Sequence, residues 1–147
     1  MIIRKKIAKR TFPGRYASLE TIRDFVLQAV KDIDLDEKAT YAVELAVDEA
    51  CTNIIEHAYG GEDKGIIECC TTLGKNDLRI TLRDFGKEFD PTKIPQPQVN
   101  VPLDQLKPRG VGFFLINRMM DEVRYKRYKT RGNMMTLVKK IDQAQKT

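Results

Sequence analysis

The chain has no long apolar run: none of its 147 residues lies in anything near the roughly 18 uncharged apolar residues needed to cross a bilayer. The opening stretch, MIIRKKIAKR, lacks the apolar core of a signal peptide, so a cytoplasmic location without membrane contact is expected. Cysteine is scarce and odd in number. Cys51, Cys69 and Cys70 come with no second Cys pair and no His cluster at zinc spacing, which argues against a disulfide framework and a metal site and leaves reduced, mostly buried thiols. Internal repeats and low-complexity tracts are missing. So is G-x-x-x-x-G-K-[ST], and the G-x-G at Gly110 and Gly112 follows a long loop instead of a first strand, so Walker-type and Rossmann sites both fail on context.

What is there suffices for one domain: 147 residues at 41% hydrophobic can bury a real core, and residues 1–147 are expected to form a single unit. The formal charge of +5 would suit a nucleic-acid binder, and Arg124, Lys126, Arg127, Lys129 and Arg131 crowd one stretch. Tyr125 and Tyr128 alternate with those charges as they do on a solvated strand face, so nucleic acid is not the expected partner.

Leu19, Ile22, Phe25, Val26, Ala29, Val30 and Ile33 recur at helical steps behind Ser18, a candidate N-cap. A second helix is expected from near Asp34, with Glu37 completing a capping-box-like start, to the glycines Gly60 and Gly61. Strands Gly65–Leu73 and Asp77–Asp84 are joined by Gly74, Lys75 and Asn76, a connection of hairpin length. Between Phe85 and Pro108, the prolines at 91, 95, 97, 102 and 108 oppose regular structure, and a loop of that length is often functional. A short helix from about Gly112 to Met120 and strands Glu122–Tyr128 and Asn133–Ile141 complete the order. The fold class is α+β, a two-layer sandwich with a mostly antiparallel mixed sheet and helices on one face.

Three features carry chemistry. In VDEACTNIIEHAY, Glu49, Asn53 and His57 stand four residues apart and line one stripe of an otherwise apolar helix. They either hydrogen-bond neighbouring loops or, as a carboxylate and an amide oxygen one turn apart, suit a hard cation such as Mg²⁺. In the strand before the loop, Leu78, Ile80 and Leu82 alternate inward, and the same period puts Asp84 on the apolar side. An unpartnered carboxylate there is costly. Either a buried partner satisfies it or it awaits a ligand donor such as an exocyclic amine, and Gly86 nearby would let a flat ring approach the backbone. In RGVGFFLI, Arg109 to Ile116, two glycines lead into a helix, and they either make a simple loop-to-helix turn or expose amides that, with the Arg109 fork, favour phosphate.

In this order, the three features resemble the GHKL superfamily of ATPases, the Bergerat fold. VDEACTNIIEHAY resembles the N box, DFGKEFDP the first glycine box, RGVGFFLI the second, and residues about 86–110 the ATP lid. With GVGFFLINRMMDEVRY after the lid, the chain is most similar to the bacterial anti-sigma factor serine/threonine kinases. The resemblance implies ATP and Mg²⁺ as cofactors and partner switching between a sigma factor and an anti-sigma factor antagonist protein, with a homodimer built through the sheet. By position it implies that Asn53 coordinates Mg²⁺ and Asp84 binds the adenine amine. Gly86, Gly110, Val111 and Gly112 bring backbone to base and phosphates, Arg109 balances phosphate charge, and Glu49 is the general base. His57, the only histidine, is expected to cap or pack at the helix end. Where the family has a threonine after the glycine that opens the last strand, this chain has Asn133 after Gly132, which implies an adenine contact retained but altered. The alternative function is a catalytically silent nucleotide-binding module that switches partners.

Overall fold

The computed structural model describes residues 6–89 and 116–141. Strand β1 (Lys6–Pro13) is followed by helix α1 (Ser18–Gln28) and by helix α2 (Glu37–Asn53), which runs directly into a π-helical turn (Ile54–Ala58). Strands β2 (Ile66–Leu73) and β3 (Asp77–Asp84) come next, and after a helical stretch at 116–119 the chain ends in β4 (Glu122–Tyr128) and β5 (Gly132–Lys140). The sheet order is β1-β2-β3-β5-β4. All pairings among the described residues are antiparallel, so the α+β sandwich is as expected, without the parallel neighbour that a mixed sheet would add.

The period-2 pattern of the strands builds one buried face. Cys69 lies opposite Leu82, which lies opposite Met135, and Thr71, Ile80 and Leu137 form the next row. On this face sit Ile22, Val26 and Val30 from the first helical segment and Val43, Ala46, Val47, Ala50, Ile54 and Ile55 from the second. The thiols behave as expected: Cys51 and Cys69 are buried, and burial pushes the Cys69 thiol up to about 12, which keeps it protonated and unreactive.

Helix ends differ from expectation. Ser18 is the first residue of α1 and is buried; its Oγ donates to the carbonyl of Pro13 at 2.7 Å, tying the helix to the end of β1, while Ala17 occupies the cap position. The apolar pattern beyond Gln28 continues as tight turns instead of α-helix, with Ala29 N–H donating to Val26 and Val30 N–H to Leu27. The cap of α2 is Asp36, whose carboxylate accepts from the Ala39 amide at 2.6 Å, so the helix starts at Glu37 and Asp34 lies outside it. Gly60 and Gly61 end the helical run with positive φ, as their positions suggested.

Candidate functional site

The site is assembled where the C-terminal half of α2 meets the ends of β3 and β5. Asn53 closes α2 and is 6% exposed; its Nδ2 finds no hydrogen-bond partner among the described residues. A buried donor left unmade costs roughly 1–3 kcal/mol, so among the described residues this amide is a donor still open to a partner. One turn earlier, Glu49 is half-buried. Burial pushes its carboxyl above the usual range, and the neighbouring carboxylates of Asp48 and Glu56 push the same way. Asp48 is held by Arg23 of α1 at 2.7 Å, and Glu56 accepts from the Tyr16 hydroxyl at 3.0 Å.

Directly after Asn53 the helix changes register. Tyr59 N–H donates to the carbonyl of Ile54, a five-residue step that inserts one extra residue into the turn. Such π turns recur at functional sites because they turn side chains off the regular stripe. His57 sits in this turn and packs its ring on Phe89 at 5.5 Å, and Phe89 in turn contacts Tyr125 at 5.8 Å. The expected packing role at the helix end is what the structure shows for His57.

Asp84 ends β3 facing inward, 2% exposed. Its Oδ1 accepts from Asn133 Nδ2 at 2.8 Å and from the Gly86 amide at 3.0 Å. No hydrogen bond to Oδ2 occurs among the described residues. Burial pushes this carboxyl above its ordinary value, and the bonds from Asn133 and Gly86 and the charge of Arg127 oppose that rise. Of the two fates open to Asp84, a buried partner therefore satisfies one oxygen, and the other remains open to a donor.

Asn133 is more committed than its position implied. Besides Asp84, its Nδ2 lies within hydrogen-bond distance of the Gly86 and Lys87 carbonyls, at 3.3 and 3.2 Å, and its Oδ1 accepts from Arg127 Nη1 at 3.1 Å. Its amide is thus spent on holding the ends of β3, β4 and β5 together. Gly86 also has a structural reason to lack a side chain: a Cβ there would stand 2.4 Å from the carbonyl oxygen of Ala58, at the end of the π turn. The Lys87 amide donates to that same carbonyl at 2.9 Å, so the first glycine box is clamped to the helix that carries Glu49 and Asn53. Tyr59 adds a second clamp, its hydroxyl donating to the Ile66 carbonyl and accepting from the Phe85 amide at 2.9 Å.

Arg109, Gly110, Val111 and Gly112, with most of the lid, lie outside the described residues. Arg127 was read from sequence as one charge in a solvated stretch, and it is exposed as expected, but its Nη1 also reaches Asn133 beside Asp84. Strand parity with Val123 and Tyr125 is the signal that would have found it. The rest of the stretch is as expected: Arg124 and Lys126 are exposed on an edge strand, with Arg124 paired to Glu122 at 2.6 Å and Lys126 over the Tyr128 ring at 5.0 Å.

The histidine kinase-like ATPase domain family matches residues 12–139. A serine-protein kinase RsbW of Bacillus cereus (strain AH820) is 38% identical over 85 residues, covering 55% of this chain and 52% of the relative. RsbW of Bacillus anthracis (strain CDC 684 / NRRL 3495) matches with the same identity and coverage. The match spans about half the length of these curated relatives. A crystal structure of the RsbU and RsbW domains of Rv1364c from Mycobacterium tuberculosis superposes with a TM-score of 0.63 at 18% identity, covering 91% of this chain and 32% of that one, and shows the same fold. The family model covers nearly all of the described residues, and the chain belongs to the histidine kinase-like ATPase domain family.

Proposed function

We propose that this chain is an ATP-binding anti-sigma factor regulator with serine/threonine protein kinase activity, which phosphorylates a protein anti-sigma factor antagonist and sequesters a sigma factor. The observation that carries the reading is the orphaned, buried amide of Asn53 one helical turn from the half-buried carboxylate of Glu49. The similarity to RsbW serine-protein kinases supports it.

The residues present fit ATP with Mg²⁺. The amide oxygen of Asn53 is a hard donor suited to Mg²⁺, and its orphaned N–H can meet a phosphate oxygen or a metal-bound water. Asp84 offers its open Oδ2 to the exocyclic amine of adenine, which a carboxylate can only receive as a donor. Arg109, Gly110, Val111 and Gly112 are assigned to the phosphates, by a positive fork and by helix N-terminal amides. When bound, the nucleotide supplies the phosphoryl group and Mg²⁺ balances its charge. Glu49 then orients the serine or threonine hydroxyl of the antagonist and takes up its proton. The environment suits the task, since a carboxylate raised by burial is a stronger base than one in water.

The chain is assigned to the cytoplasm as one domain and as a homodimer, with the edge strand β1 available to extend the sheet. Among the described residues no helix is long and apolar enough to cross a membrane.

Incubation with radiolabelled ATP, Mg²⁺ and candidate antagonist proteins from the same genome tests the activity. Label should pass to a serine or threonine of one of them, and Glu49→Ala should lower the rate by roughly 10²–10⁴-fold with ATP affinity little changed. Undiminished transfer by that variant would overturn the assignment of the base. ATP binding with no transfer to any antagonist would leave a nucleotide-binding switch instead of a kinase.

A further inference from the structure

At the end of the sheet that holds the candidate base pocket, the row that continues the buried face is polar across three strands, with Arg127 at its exposed edge. Asp84 of β3 stands opposite Asn133 of β5, which stands opposite Arg127 of β4. The row immediately inside it is apolar: Leu82, Met135 and Tyr125. The polar row is also directional. Arg127 Nη1 donates to Asn133 Oδ1 at 3.1 Å, and Asn133 Nδ2 donates to Asp84 Oδ1 at 2.8 Å.

An asparagine amide can be turned either way round, and what fixes it is its hydrogen-bond partners. A guanidinium has donors only, while Asp84 and the Gly86 and Lys87 carbonyls only accept, so Arg127 on one side and these acceptors on the other hold the amide oxygen toward Arg127 and the NH₂ toward Asp84. The NH₂, together with the Gly86 amide at 3.0 Å, saturates Oδ1 and fixes the rotation of the carboxylate. Oδ2 is left as the acceptor. Arg127 is itself tethered by Glu88 at 3.8 Å, two residues beyond Gly86.

We propose that Arg127 and Asn133 are positioning residues that set base selectivity: through them Asp84 presents one fixed, acceptor-only oxygen, which admits a purine carrying an amino group and rejects one carrying a carbonyl at that place. This rests on the nucleotide reading above and adds to it a role for two residues that touch no nucleotide themselves. Because Asn133 already fills the space between the strand ends, the selectivity resides in the orientation of Asp84 and not in a direct contact from the last strand.

The test compares affinities of the full chain, with Mg²⁺, for ATP, GTP and purine riboside triphosphate, which lacks the exocyclic amine. Wild type should bind ATP about tenfold or more tightly than the amine-free analogue, as expected for one hydrogen bond to a buried carboxylate, and should bind GTP most weakly. In Arg127→Met the ATP preference over the analogue should fall severalfold toward parity, while affinity for the analogue itself stays within about twofold of wild type. Arg127→Lys, which keeps one donor, should retain most of the preference. Asn133→Asp, isosteric but without the NH₂ donor, should lose it as well. Arg127 is two-fifths exposed, so Arg127→Met removes no core packing, and its melting curve can confirm that it is folded. A preference unchanged in Arg127→Met and Asn133→Asp would overturn the proposal while leaving nucleotide binding intact. If wild type bound none of the three nucleotides, the nucleotide reading and this inference would fall together.

Discussion

Gly132→Ala is the substitution for which the structure yields the largest effect from the smallest change. Gly132 opens β5 with φ of 76°, and a Cβ built there would stand 2.1 Å from the carbonyl oxygen of Asp84 and 3.0 Å from the Phe85 ring. An ordinary contact is no closer than 3.4 Å, so the end of β3 must retreat by more than an ångström. The left-handed backbone alone costs an L-residue about 1–2 kcal/mol. The retreat also strains the 2.8 Å bond from Asn133 to the Asp84 carboxylate, and hydrogen bonds to charged groups contribute about 1.5–3 kcal/mol. A total near 3 kcal/mol follows. With an unfolding entropy of about 2.1 cal/mol/K per residue, this amounts to a drop in Tm of roughly 10 °C for a chain of 147 residues. Circular dichroism melts measure it, with Gly74→Ala as the control. There the new Cβ meets the end of the Asp77 side chain at 3.2 Å and the Asp77 carbonyl oxygen at an ordinary 3.7 Å, without positive φ, and the shift should stay within about 3 °C. If the two variants melted together, the close approach of β5 to β3 would not be what shapes this end of the sheet.

Asp84→Asn should stabilise the free protein at neutral pH while abolishing its preference for ATP, because the amide oxygen keeps the bonds from Asn133 and Gly86 without a buried charge. The sign with pH follows from the raised carboxyl: the contribution of Asp84 to stability is fully present below its ordinary value of 3.8 and is lost as pH rises through the higher folded value. The variant's advantage in denaturant melts should therefore be greatest near neutrality and vanish in acid, and a constant advantage would count against burial as the cause. Asp36→Ala removes the side chain that caps α2 and should cost about 1 kcal/mol in urea denaturation, whereas Asp34→Ala should cost almost nothing.

The strands were legible because their signal is a strict alternation that one buried face enforces. The bounds of β3 and β4 follow from Leu78, Ile80 and Leu82 and from Val123 and Tyr125 without any knowledge of tertiary structure. Helix starts were less so. Asp34 and Asp36 are both competent caps, and the choice between them depends on which one leaves Ala42, Val43 and Ala46 facing the sheet. Ser18 satisfies a tertiary bond to Pro13 that local sequence cannot display. The π turn after Asn53 was invisible to a search at 3.6 residues per turn, although it decides where His57 points. Asp84 announced itself as a carboxylate at an apolar position, but its partner did not. Asn133 lies 49 residues away, and only the antiparallel register of β3 and β5 makes them neighbours. Arg127 was hidden by the company it keeps, since composition marks the stretch as basic and only parity singles out the exposed cation that reaches Asn133.

If Asn53 holds ATP through Mg²⁺, calorimetric titration of ATP into wild type and Asn53→Ala, with Mg²⁺ present and absent, will separate the two proteins. Wild type should bind ATP with an affinity that rises when Mg²⁺ is added, and Asn53→Ala, still folded, should lose most of that Mg²⁺-dependent gain. No ATP binding by wild type, or an equal Mg²⁺ gain in both proteins, would contradict it.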